Sequence, residues 1–185
     1  MENLYRIACR LAVHIVCAVV SMAVMATTLE AVERPCVPDC PETPFGANQR
    51  AVLTLPNGCM VRVTFATRIP ECFTPPVYDV AIVQIEYLNG ACSGSLTSLV
   101  EAVTQQLLLT NPMFFPMPTL GCLNHYRVTK AVCWRIDSLL DCDGDTLAVP
   151  CDSSGCCLSR YRLCRDSSGV FTVTKLNSYV PVGSD

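Results

Sequence analysis

Charge is scarce in this chain: Asp, Glu, Lys and Arg make up 16% of its 185 residues, the net charge is −3, and histidine occurs only 2 times. With so few basic residues there is no cationic footprint of the kind that drives nucleic-acid binding, so that partner class is excluded. The shortage of histidine removes the general base of a Ser-His-Asp or Cys-His site. Beyond the N-terminal segment only His125 remains, in Asn124-His125-Tyr126 at the start of an expected strand, and there is no Gly-x-Ser-x-Gly elbow. Cys-x2-Cys pairs are missing as well, which argues against zinc knuckles and against a dithiol redox motif. No Asn-x-Ser/Thr sequon occurs. The acidic residues that could supply a glycosidase pair gather mainly at 137–152, a loop ill suited to holding two carboxylates at a fixed separation.

What the chain does have begins at its N-terminus. Arg6 and Arg10 precede an apolar run from Leu11 to Ala26, interrupted only by His14 and Ser21, and Val24-Met25-Ala26 has the small-residue pattern of a cleavage site. The run is shorter than the ~20 apolar residues that span a bilayer comfortably. Residues 1–26 therefore read as a signal peptide, and no later stretch has membrane length. Cleavage removes one acidic residue (Glu2) and two basic ones (Arg6, Arg10), taking the net charge from −3 to −4. The expectation is an exported protein, extracellular or periplasmic, with no stable membrane insertion after cleavage.

Cysteine is abundant at 14 residues, and Cys9 and Cys17 leave with the signal. The other twelve are Cys36, Cys40, Cys59, Cys72, Cys92, Cys122, Cys133, Cys142, Cys151, Cys156, Cys157 and Cys164. An even set in an exported chain reads as a disulfide framework. Connectivity stays open among on the order of ten thousand pairings. Two local pairings suggest themselves from loop closure, Cys36–Cys40 and Cys142–Cys151. The adjacent Cys156 and Cys157 are expected to bond to different partners, because neighbouring strand residues point to opposite faces.

Residues 27–49, with Pro35, Pro38, Pro41 and Pro44, read as an extended arm ahead of a domain spanning 50–185. Leu53, Leu55, Val61, Val63 and Phe65 share one parity around Pro56-Asn57-Gly58, predicting a hairpin with Cys59 facing inward. A third strand is expected over 77–88, with Ala81, Val83, Ile85 and Tyr87 on one face. Residues 95–110 carry Leu96, Leu99, Val100, Val103 and Leu107 at helical spacing, with Ser95 or Ser98 as cap, Glu101, Thr104 and Gln105 on the other side, and Asn111-Pro112 as the stop. Met113, Phe114, Phe115 and Met117 then occupy a proline-rich loop, expected to lie over the core with its aromatics as fillers, the alternative being an exposed apolar binding loop. Strands follow at 125–129, 131–136, 157–164 and 170–175. The pattern is an α+β domain, a largely antiparallel sheet with one amphipathic helix packed on it.

Two features carry candidate chemistry. Counting from Asp141, carboxylates fall at positions 1, 3, 5 and 12 (Asp141, Asp143, Asp145, Asp152), which resembles the calcium loop of EF-hand and dockerin-type modules. The pattern departs from that loop at Thr146, Ala148 and Pro150, ends in the shorter Asp152, and lacks flanking helices. It implies calcium as the one cofactor to consider and no EF-hand fold; the alternative is a solvated acidic turn closed by a bridge. Arg127, Arg135, Arg160, Arg162 and Arg165 fall in or beside the later strands, suited either to anionic glycan or carboxylate recognition or to a solvated sheet face.

With no catalytic constellation, the expected function is that of a secreted, non-catalytic, cysteine-rich structural, adhesive or assembly subunit. Its partners would be other protein subunits, copies of itself included. The alternative is a secreted binding module for calcium, glycan or a protein. A secreted hydrolase or inhibitor ranks below both.

Overall fold

A computed structural model describes Cys40 and residues 42–89, 92–138, 146–151 and 156–179. Residues 1–26, expected from the sequence to be a signal peptide, and Cys36 lie outside the described residues. The elements in chain order are β1 (Gln49–Thr54), β2 (Met60–Arg68), β3 (Tyr78–Tyr87), α1 (Leu96–Thr110), β4 (Gly121–Ala131), β5 (Trp134–Ser138), β6 (Thr146–Pro150), β7 (Cys156–Arg165) and β8 (Phe171–Tyr179). The strands make one sheet of order β1-β2-β3-β4-β7-β8, with β6 added to β3 and β5 to β6. Every pairing is antiparallel except β3–β4. Parallel neighbours need a crossover connection, and α1 supplies it. The result is the expected α+β architecture, a mixed and largely antiparallel sheet carrying one helix.

The β1–β2 turn follows directly from its residues. Gly58 adopts φ 82°, its N–H donates to the Leu55 carbonyl at 2.9 Å, and the Leu55 N–H donates to the Cys59 carbonyl at 2.8 Å. This three-residue hairpin needs a left-handed residue at its third position, which glycine takes without a Cβ clash. The register then sends Leu53, Leu55, Cys59, Val61, Val63 and Phe65 to the helix-covered face. There they meet Leu99, Val100, Val103, Leu107 and Leu108 of α1.

In β3 simple alternation fails. Phe65 pairs with Ile82 and Thr64 with Gln84, so Val83 is an inserted bulge residue. The bulge reverses the parity along the strand, and the residues facing the helix are Val80, Ile82 and Ile85 rather than Ala81 and Val83. Ala81 and Val83 are nonetheless buried, because β3 is central and covered on both sides. Its first half pairs with β4 and its last residues with β6, so the sheet forks there.

Helix α1 is capped by Ser95, whose Oγ accepts from the Ser98 N–H at 3.1 Å. It ends at Asn111 in the left-handed region at φ 47°, whose N–H reaches the Leu107 carbonyl. Thr104 is buried and donates back to the Val100 carbonyl, so the helix turns a polar residue inward where an outward one was expected. A further departure is β6. Residues 146–150 form a strand between β3 and β5, and the expected strand at 131–136 is split at Val132 and Cys133 into β4 and β5. Thr-Leu-Ala-Val-Pro is too short to show a period, and its pairing comes from two strands already in place.

Four disulfides lie among the described residues: Cys40–Cys72, Cys59–Cys92, Cys122–Cys164 and Cys133–Cys151. Both local pairings expected from the sequence are thereby corrected. Cys40 bonds to Cys72 on the β2–β3 connection, and Cys151 bonds to Cys133, its neighbour at the open end of the β5–β6 hairpin. The reason is that loop closure along the chain is not the relevant distance once strands bring remote residues together. Among the described residues Cys157 carries a free thiol, against the expectation that it is bridged. It sits opposite Lys130 in the β4–β7 register, a row that offers no cysteine. Such bridges point to an oxidising or extracellular compartment.

Cys59 is fully buried and joins the hairpin to the segment leading into α1. The variant Cys59→Ala/Cys92→Ala should lose about 2–4 kcal/mol of stability in urea unfolding with the fold retained.

Candidate functional site

On the face away from α1, three charged side chains stand in one row across the sheet. The register places Arg68 of β2 opposite Asp79 of β3, and Asp79 opposite Arg127 of β4. All three are buried, Asp79 completely. Arg127 grips the carboxylate twice, Nε to Oδ1 at 2.6 Å and Nη2 to Oδ2 at 2.7 Å, and Arg68 donates from Nε to Oδ2 at 2.8 Å. Planar guanidinium groups suit this work because their donors match carboxylate geometry.

The row is covered by a strap formed by Cys40 and residues 42–46. Arg68 Nη1 donates to the carbonyls of Cys40 (3.1 Å) and Thr43 (2.8 Å), and the Phe45 ring lies 4.9 Å from its guanidinium carbon. The Gly46 N–H donates to the Thr67 carbonyl at 2.9 Å. From the other side Phe73 stacks on Arg127 at 4.5 Å, beside Cys72. The strap is therefore fixed at one end by Cys40–Cys72 and along its length by Arg68. Ordering it costs on the order of 6–12 kcal/mol of backbone entropy. Burying Phe45 with its cation–π contact, plus the bonds to Arg68 and Thr67, contributes about 6–12 kcal/mol. To these contacts the bridge adds roughly 3–4 kcal/mol for a loop of its length.

A second polar cluster sits on the helix-covered face. Glu101 of α1 accepts from Lys130 Nζ at 2.7 Å, from the Tyr161 hydroxyl at 3.0 Å and from Lys175 Nζ at 3.4 Å. It thus joins α1 to β4, β7 and β8. Burial alone would raise the Glu101 carboxyl; the hydrogen bond and charge of Lys130, the Tyr161 hydroxyl and the Lys175 charge outweigh it and hold the group below its ordinary value. Burial, then the charge and hydrogen bond of Glu101, raise the Tyr161 hydroxyl. The arrangement keeps the carboxylate ionised and the phenol protonated, which is what a fixed hydrogen-bonded tie requires.

The third feature is the loop after α1. The Asn111 side chain clamps Phe115 at both backbone groups, accepting from its N–H at 3.0 Å and donating to its carbonyl at 2.8 Å. The Phe115 ring packs 5.1 Å from Tyr78, which packs 5.7 Å from Tyr126, and the Tyr126 hydroxyl donates to the Pro116 carbonyl. Burial, with the neighbouring Tyr78, pushes that hydroxyl up to about 12. On this anchored base Phe114 projects with 91% of its surface exposed, in the left-handed region at φ 57°. Leu120 nearby in sequence is 69% exposed. The expectation that loop aromatics fill the core thus holds for Phe115 and fails for Phe114, since only one of two adjacent rings can turn inward.

Of the residues singled out from sequence, Asp141, Asp143, Asp145, Asp152 and Cys142 lie outside the described residues, and for Cys156 only the backbone is described. Residues 146–150 of that twelve-residue window are β6, so the window is not one continuous loop. No group of three or more metal-ligating side chains occurs among the described residues. The arginine row divides: Arg127 is a buried partner of Asp79, Arg160 and Arg162 are exposed on the same sheet face, Arg165 lies over Phe171, and Arg135 is near Asp137. His125 is half-buried in β4. Sequence reasoning missed Asp79 and Arg68; the available signal was a carboxylate directly before the apolar run Val80-Ala81-Ile82-Val83 and an arginine closing β2.

Comparison with protein-family models, curated proteins and solved structures gives no match.

Asp79→Ala leaves two buried guanidinium groups without their carboxylate and should cost about 3–5 kcal/mol in chemical unfolding. Arg162→Ala, on the exposed face, should stay within about 0.5 kcal/mol. Glu101 contributes stability above its ordinary value of 4.5, and that contribution is lost as pH falls through its lower folded value. The stability gap between wild type and Glu101→Gln should therefore be full at neutral pH and close in acid, as followed by urea midpoints across pH.

Proposed function

We propose that this protein is a secreted, non-catalytic structural or adhesive subunit that works by docking to other subunits, copies of itself included. The observation that carries the reading is Phe114, an almost fully exposed aromatic held on a locked loop. A side chain presented this way loses little conformational freedom on binding, and buried aromatic anchors dominate interface energetics. No charged residue occurs between Glu101 and His125, so nothing in the loop resists being taken out of water. A membrane-inserting role is the weaker fit: one phenylalanine and one leucine bury too few CH2 groups for stable anchoring at about 0.8 kcal/mol each. The heavy cross-linking supports durability outside cells, and the ion pairs of Lys130 and Arg68 support a holding role rather than a reactive one.

Light scattering coupled to size-exclusion chromatography of the secreted chain provides the test. Wild type is expected to associate with rising concentration, and Phe114→Ser to weaken that association by about tenfold or more. A wild-type chain that stays monomeric at every concentration, or a Phe114→Ser variant that assembles as well as wild type, counts against this reading.

A further inference from the structure

The four bridges differ in what else holds the segments they join. Cys122 and Cys164 face each other within the β4–β7 ladder, so strand pairing keeps them together without the sulfurs. Cys133 and Cys151 are also joined by a backbone hydrogen bond of 3.1 Å at the end of the β5–β6 hairpin. Cys59 is embedded in the main core beside α1. The strap is held differently, by the Gly46 N–H bond to the Thr67 carbonyl and by side-chain contacts to Arg68. It belongs to no strand, and Phe45 sits in a small cluster with Ala66 and Ala81, separate from the main core. Its bridge ends at Cys72 on the exposed β2–β3 connection, where a reductant can reach the sulfur.

We propose that the strap is a redox-released cover over the Arg68–Asp79–Arg127 row: reduction of Cys40–Cys72 opens Cys40 and residues 42–46 while the sheet and α1 stay folded. The reductant is a dithiol. One of its thiolates attacks a bridge sulfur, forming a mixed disulfide and expelling the other cysteine as thiolate. The reductant's second thiolate then displaces the remaining cysteine and closes its own disulfide. Two electrons pass to the protein, and the two protons lost by the dithiol appear on Cys40 and Cys72. On opening, the Cys40 and Thr43 carbonyls leave Arg68 Nη1 and the Phe45 ring leaves its guanidinium face. Asp79 stays paired through the two bonds from Arg127, which come from the sheet and not from the strap. Arg68 thereby loses its strap partners while its Nε stays on Asp79.

Hydrogen–deuterium exchange on the full chain tests this. In Cys40→Ser/Cys72→Ser the amides of residues 43–48 should exchange on the order of 100-fold faster, while β2, β3 and α1 keep their protection. In Cys122→Ser/Cys164→Ser the strap should exchange as in wild type. Unchanged protection at 43–48 in the first variant overturns the proposal, and so does loss of protection in β2, β3 and α1 together with the strap. Should the first variant not be secreted, wild type titrated with dithiothreitol under native conditions and alkylated serves instead. Labelling of Cys40 and Cys72 must then accompany fast exchange at 43–48 with α1 still protected; labelling that occurs only with exchange of the whole chain overturns it.

Discussion

A carboxylate removed from water without a partner is far too unfavourable to survive folding, and Asp79 lies where its neighbours leave it no exposure at all. Its ionised form is tolerable only because β2 and β4 each deliver a guanidinium to the same row. The three strands must therefore align in one register, since a slip of one residue sends every side chain to the opposite face. Such a pairing is weak evidence for net stability, because desolvating three charged groups offsets much of their attraction. Its effect is on which arrangement forms. The parallel β3–β4 pair cannot be set by a tight turn, and this ion row ties it down as it does β2–β3.

The disulfides work around that row in unequal ways. Those within the ladder or beside the core reinforce contacts that strand pairing and apolar burial already make. Cys40–Cys72 instead holds down a segment that belongs to no strand. The cover over Arg68 is thus tied by a covalent link, whereas the row beneath it is a matter of sheet register. On the opposite face Glu101 plays the corresponding part for α1, fastening the helix to β4, β7 and β8 through Lys130, Tyr161 and Lys175.

Phe114 follows from neighbouring constraints in the same way. Asn111 ends the helix in a left-handed turn and its side chain then fixes Phe115, whose ring goes inward against Tyr78. With Phe115 committed, the adjacent ring has only solvent to enter. The exposed aromatic is a by-product of a rigid helix end, and that rigidity is the feature on which the proposed docking role rests.

Much of the fold was legible in local pattern. The Pro-Asn-Gly hairpin, the inward parity of Leu53 to Phe65, the Ser95 cap and the Asn111 stop all depend on interactions a few residues long, which residue type alone decides. The abundance of cysteine and the N-terminal apolar run likewise set an expectation of export from residue type and spacing. Tertiary structure alone decided the rest. The bulge at Val83, the strand at 146–150 and the partners of Cys40 and Cys151 depend on what lies beside them in space. So does the division between Arg127, buried against Asp79, and Arg160 and Arg162, left exposed. A charged residue in a strand reads the same in sequence whether it meets solvent or an opposite charge, because that choice is made by the neighbouring strand.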